Sequence, residues 1–200
     1  DLSKALRGAR SIGVPFLLGT AGSAGAAPHL DKTLAMVRDI ARAEGLHFRL
    51  ASIRADIPRD LIKRAIRAGK VRPLGAIPAL TEHAVDAATH IVGQMGIEAF
   101  QRALTAGADV VIAGRACDTA VFAAIPAMLG YPVGPAMHMA KISECCSLCT
   151  TPGGRDALLG TLDGNSFTID SMNPLRHATP MSVAAHSLYE QGDPYRVIPT

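Results

Sequence analysis

The chain has 200 residues, 48% of them hydrophobic and 18% charged, with a mean hydropathy of +0.22. That is enough apolar surface for a sizeable core, which excludes a disordered chain and a disulfide-stapled miniprotein. A net charge of only +3, aromatics at 4% and no Trp deny it the basic field and stacking platforms of a nucleic-acid binder.

Leu2 to Arg10 has a short helical pattern. Ile12 to Leu18 is a compact apolar run ending in Gly19-Thr20-Ala21-Gly22-Ser23-Ala24-Gly25, which predicts a buried strand feeding a loop. From Leu30, apolar residues at 34, 37, 40 and 41 predict a helix up to Glu44, with Gly45 suited to its C-terminus. His47 to Ile53 alternates like a half-buried strand, and Pro58 to Ala68 has helical spacing with Pro at its start. Thr81 is placed to cap a helix over Glu82 to Thr89, and Ile97 to Ala106 carries another helical stripe. Asp109 to Ala113 is a continuous apolar run of the kind buried on both faces of a parallel sheet.

Thr119 to Met128 and Met137 to Cys149 are helical, separated by a proline-glycine connector at 130–135. Leu158 to Leu162 and Ser166 to Ile169 flank Asp163-Gly164-Asn165 as a hairpin would. Ser182 to Tyr189 is an amphipathic helix in which His186 reads as a partly buried, satisfied histidine. The fold expected is α/β: a three-layer arrangement, mainly parallel sheet with helices on both faces, plus a small C-terminal α+β extension. The corresponding domains are a core over 1–154 and the start of an extension over 155–200.

No uncharged apolar run reaches the length of a membrane span, and the first residues lack the order of a signal peptide, so no membrane partner is expected. Three of the four Cys crowd into 145–149 rather than spreading as a disulfide framework, which fits a reduced, cytoplasmic chain. The absence of an initial Met and the stop inside a Pro-punctuated segment suggest a piece of a longer polypeptide.

Three segments carry candidate chemistry. Gly19, Thr20, Gly22, Ser23 and Gly25 form a loop after a buried strand, where backbone N–H groups can meet a phosphate, a carboxylate or a coenzyme pyrophosphate. The loop matches neither GxGxxG nor a P-loop, and a tight strand-to-helix crossover explains it equally well. His29 lies close enough to contact the same ligand, against a surface or capping residue. Gly114-Arg115-Ala116-Cys117-Asp118 leaves the carboxyl end of a strand, the usual place for ligands in open parallel sheets. There Arg115 suits a carboxylate or phosphate, against an internal ion pair; Asp118 suits a base, a metal ligand or a simple helix cap.

On a continuous helix His138, Lys141, Cys145 and Cys149 fall near one face. The readings are a buried apolar Cys face, a thiolate favoured by Lys141, or a zinc site; the last lacks a second matched pair of ligands, so no metal is expected. Asn173 to His177 and Gly192 to Tyr195 are turns that also offer polar groups.

Gly107 to Arg115 with Asp118, then Lys141-Ile142-Ser143-Glu144-Cys145, resembles the acyclic terpene utilisation AtuA-like family. The glycine loop and Ser182 to Pro194, a helix ending in Gly-Asp-Pro, are similar to other parts of that family. Two positions depart from its pattern: Ala116-Cys117 precedes Asp118 where Val-Ala is usual, and Cys146 stands where Gly is usual. The family takes its name from gene clusters that degrade citronellol and geraniol through acyl-CoA intermediates. The resemblance implies fold and metabolic context rather than a reaction; joined to the candidate residues, the expectation is a metabolic enzyme acting on a small carboxylate or acyl-CoA, by a lyase, hydratase or hydrolase step with no cofactor specified. Arg115, Lys141 and the glycine loop would hold the anion, and Asp118, His138 or Cys145 would do the chemistry. The rival is a non-catalytic assembly or ligand-binding subunit. The apolar surface around Ile125 to Met139 points to a homo-oligomer.

Overall fold

The computed structural model describes residues 1–189 and Asp193; the Gly-Asp-Pro turn lies, except for Asp193, outside the described residues. In chain order the elements are α1 (Leu2–Ser11), β1 (Phe16–Leu18), α2 (Ala27–Glu44), β2 (Leu50–Ile53), α3 (Arg59–Arg67), α4 (Glu82–Ala87) and α5 (Ile97–Thr105). They continue with β3 (Val110–Ala113), α6 (Asp118–Met128), α7 (Val133–Ser143), a 3-10 turn (Cys146–Cys149), β4 (Leu158–Asp163), β5 (Ser166–Ser171) and α8 (Pro180–Ser187). No helix among the described residues is long and apolar enough to cross a membrane.

By internal packing the chain divides into a first unit, residues 1–95 with 108–116, and a second, residues 96–107 with 117–200. The first holds a three-stranded parallel sheet in the order β1-β3-β2. The three runs read as strands from sequence pair in parallel, with Phe16 and Leu50 both opposite Val110. β3 takes the centre because all four of its residues are fully buried, whereas β1 and β2 are half-buried edges. Side chains alternate across a strand, so Val110 and Ile112 point to one face, where they meet Leu6 of α1 and Leu30, Leu34 and Val37 of α2. These helices and the sheet supply two of the three expected layers.

Both edge strands are shorter than their apolar runs. α1 continues to Ser11, after which Gly13 takes a positive φ of 71°, so pairing begins only at Phe16. Ahead of β2, the Arg49 N–H is taken by the Asp109 carboxylate at 2.8 Å, and β2 starts at the next residue.

In the second unit α6 and α7 pack together, and α7 also packs on the antiparallel hairpin β4–β5. α7 begins at Val133, inside the expected connector, because Pro135 lies in its first turn where no intrahelical N–H is required. It ends at Ser143, which corrects the helix expected over 137–149. Cys146 adopts φ +54°, and the Ser147 hydroxyl and N–H turn instead to the Asp156 backbone, at 2.7 and 3.2 Å. Cys145 and Cys149 consequently do not continue the helical face of His138 and Lys141. The Asn173–His177 turn is spent on structure: the Arg176 guanidinium holds the Asp156 carboxylate and the carbonyls of Pro152 and Gly153, at 2.6 and 2.7 Å. α8 starts with a reciprocal Thr179–Ser182 capping box, two residues before the expected start.

Candidate functional site

In the first unit the carboxyl ends of the three parallel strands lie at one edge of the sheet. From this edge depart the glycine loop after β1, Arg54-Ala55-Asp56 after β2 and Gly114-Arg115-Ala116 after β3. The glycine loop and the Arg115 loop are in direct contact. The Arg115 N–H donates to the Gly25 carbonyl at 3.1 Å, while the Thr20 hydroxyl both accepts from the Ala116 N–H and donates to the Ala116 carbonyl at 3.1 Å. Gly25 is required here: at φ +69°, a Cβ on it would sit 2.1 Å from the Arg115 nitrogen. Gly22 has a similar role beside His29, whose Cβ is 2.7 Å from where a Cβ on Gly22 would be. Gly19 joins β1 to the loop, and Gly22 and Ser23 are exposed at its tip, both with positive φ.

The N-terminus of α2 already faces a carboxylate of the protein itself. Ala27 N–H donates to Asp56 Oδ1 at 3.2 Å, which suits the positive end of the helix. His90 Nδ1 lies 3.7 Å from the same oxygen, and Asp56 Oδ2 is buried with no hydrogen-bond partner. Neither Asp56 nor His90 belongs to a motif of the sequence. Asp56 is marked only by its position, since it stands three residues past a strand at the ligand-bearing edge.

Arg115 as a residue is half-buried, and its guanidinium donates to the exposed Gln94 Oε1 at 3.4 Å. No carboxylate among the described residues forms an ion pair with it, unlike the buried or clustered Arg of an internal salt bridge. The edge thus offers a planar cation with donors left over, the Ser23 hydroxyl, and the exposed loop tip, a donor set that suits an oxyanion.

The second unit holds the remaining candidates. Asp118 is exposed and opens α6 as its first helical residue, with Cys117 as the capping residue. His138 is exposed on α7, its ring edge-on to Phe167 with centroids 5.1 Å apart. Cys145 is half-buried just beyond the end of α7, and burial pushes the Cys149 thiol up from its ordinary range. Lys141 is buried, and its Nζ meets Glu144 Oε1 at 2.5 Å while Glu144 Oε2 accepts from the buried Thr119 hydroxyl. In the sequence Glu144, one turn beyond a Lys, looks like half of any surface pair; only the packing of α6 against α7 removes it from solvent. Among the described residues no three His, Cys, Asp or Glu side chains converge as metal ligands.

No curated protein and no solved structure matches the chain. A family model does, that of the acyclic terpene utilisation family protein AtuA, over residues 21–149. The matched stretch runs from the glycine loop through β3 and the Arg115 loop to the 3-10 turn, and by this match the chain belongs to the AtuA family of acyclic terpene utilisation.

Proposed function

We propose that the protein is a metabolic enzyme that binds a small carboxylate or an acyl-CoA thioester, in the breakdown of acyclic terpenes or branched acids. Family membership supports the metabolic setting. The observation that carries the reading is Arg115 at the carboxyl edge of the sheet, its guanidinium without a carboxylate partner among the described residues. Gly25 holds its backbone N–H and Thr20 that of the next residue, Ala116, so the cation is presented from a fixed loop. In this reading Arg115 and the exposed Gly22–Ser23 tip bind the anion. Within the second unit, taken by itself, Asp118 or His138 is the candidate proton carrier and Cys145 the candidate nucleophile, and Lys141 pairs with Glu144. The reaction class is a lyase, hydratase or hydrolase step.

The test is equilibrium binding and turnover of branched carboxylic acids and their coenzyme A thioesters. Arg115→Ala is expected to weaken binding at least tenfold, the worth of one charge-assisted hydrogen bond of about 1.5 kcal/mol, with Arg115→Lys recovering part of it. Asp118→Asn and His138→Gln separate the proton carrier by which of them lowers kcat without raising KM. Equal binding by wild type and Arg115→Ala would sink the anion site, and absence of turnover with intact assembly would favour a non-catalytic subunit. We also propose that copies of the chain associate through the apolar connector between α6 and α7, where Leu129 and Val133 are 67 and 59% exposed; light scattering reads this directly.

A further inference from the structure

Within the second unit, α6, α7 and β4 enclose an open cavity of about 460 Å3. Its walls are Phe122 and Pro126 of α6, Met139 and Ser143 of α7, and Leu158 and Gly160 of β4, with Cys146 and Ala157 completing the lining. Gly160 of β4 lets the α7 side chains at one wall approach the strand closely. Met139 Sδ and Ser143 Oγ lie 2.9 and 3.5 Å from the place where a Cβ would stand on that glycine.

The lining has two unusual chemical properties. Among the described residues no acidic or basic side chain contributes to it. Ser143 is only 7% exposed, and its Oγ is buried without a hydrogen-bond partner. A buried hydroxyl left unpaired is costly, whereas a ligand oxygen that accepts from it removes the cost. A charged ligand gains nothing here, since its desolvation would meet no opposite charge.

We infer that this cavity is a binding site for a small uncharged aliphatic molecule carrying one hydroxyl or carbonyl oxygen, with Ser143 as the hydrogen-bonding group. Its volume falls in the range of small-molecule pockets. Phe122, Met139 and Leu158 receive the aliphatic part, and the flexible Met139 side chain lets them adapt to branched or straight chains. The site does not depend on the anion site at the carboxyl edge of the parallel sheet. The two readings fail separately, because Arg115→Ala acts on one and Ser143→Ala on the other.

Calorimetric titration of the full chain with n-octanol and with octanoate tests the assignment. Saturable binding of n-octanol is expected, with octanoate at least tenfold weaker. Ser143→Ala, which removes only the unpaired hydroxyl, is expected to keep the thermal midpoint and to lose up to about tenfold in n-octanol affinity. Ala157→Leu, at an exposed position of the lining, is expected to fill the cavity and abolish binding. A measurement on the unmodified chain stands beside these: n-octanol should slow the reaction of the exposed Cys146 with an uncharged thiol reagent, followed residue by residue in mass spectra. No saturable binding, equal affinity for octanoate, unchanged binding in either variant, or undiminished Cys146 reactivity would overturn it.

Discussion

At the residue scale, Gly25 and Cys146 face opposite demands. Gly25 has a positive φ and backbone atoms of the Arg115 loop where a side chain would be, so no rotamer change can make room. Gly25→Ala is expected to cost about 3 kcal/mol or more, read as a lower midpoint in urea, and to disturb the Arg115 loop with it. Cys146 has φ +54° without being glycine, at the position where the resembling pattern carries Gly. The left-handed conformation costs a side-chain-bearing residue about 1–2 kcal/mol, and glycine returns part of that gain through its freer unfolded state. Cys146→Gly is therefore expected to raise stability by about 0.5–1 kcal/mol, seen as a higher thermal midpoint.

At the element scale, the join between α6 and α7 rests on Lys141, Glu144 and Thr119. The Lys141 and Glu144 side chains are each 8% exposed, so their pairing takes place away from water. Removing one partner of such a pair leaves a buried charge and costs about 3–5 kcal/mol, whereas removing both charges is close to neutral. Lys141→Met is expected to destabilise by about that amount, and Lys141→Met with Glu144→Gln to regain most of it in denaturant titrations. The segment ahead of β4 is held differently. Asn173 and Arg176 hold the Asp156 carboxyl below its ordinary range by donating hydrogen bonds to it. Because the folded value is lowered, this contribution is complete above the unfolded carboxyl value near pH 4 and is lost as pH falls through the lower folded value. Stability curves measured between pH 5 and pH 2 should fall less steeply for Asp156→Asn than for wild type.

At the scale of the whole molecule, the long-range pairing is carried by β3. It bonds to β1 on one side and β2 on the other, from a position far along the chain from both, and every one of its residues is buried. Pairing of this kind cannot form until much of the intervening chain has been ordered, and it opens only when the unit does. Hydrogen exchange is expected to be slowest at the amides of Val110–Ala113. It should be faster across α3, which has no buried residue. Comparable exchange in the two segments would mean that the first unit opens from its sheet rather than from its surface helices.

Composition and periodicity alone determined that the first unit contains three strands alternating with helices. A continuous apolar run such as 109–113 is satisfied only between two neighbours in a sheet, and the glycines after it and after Leu18 can end strands whatever surrounds them. The hairpin over 158–171 was equally legible from its Asp-Gly-Asn turn, because turn chemistry is local. The motif residues around Arg115 and Lys141 also carried the family resemblance. Tertiary structure decided the rest. That α7 stops at Ser143 follows from hydrogen bonds offered by Asp156, which lies beyond the helical pattern and leaves no mark within it. That Lys141 is spent on Glu144, that Asp56 occupies the start of α2, and that Arg115 meets Gln94 rather than a carboxylate all depend on residues brought together from separate segments. Periodicity says which side of an element is buried; only packing says which charge is neutralised there.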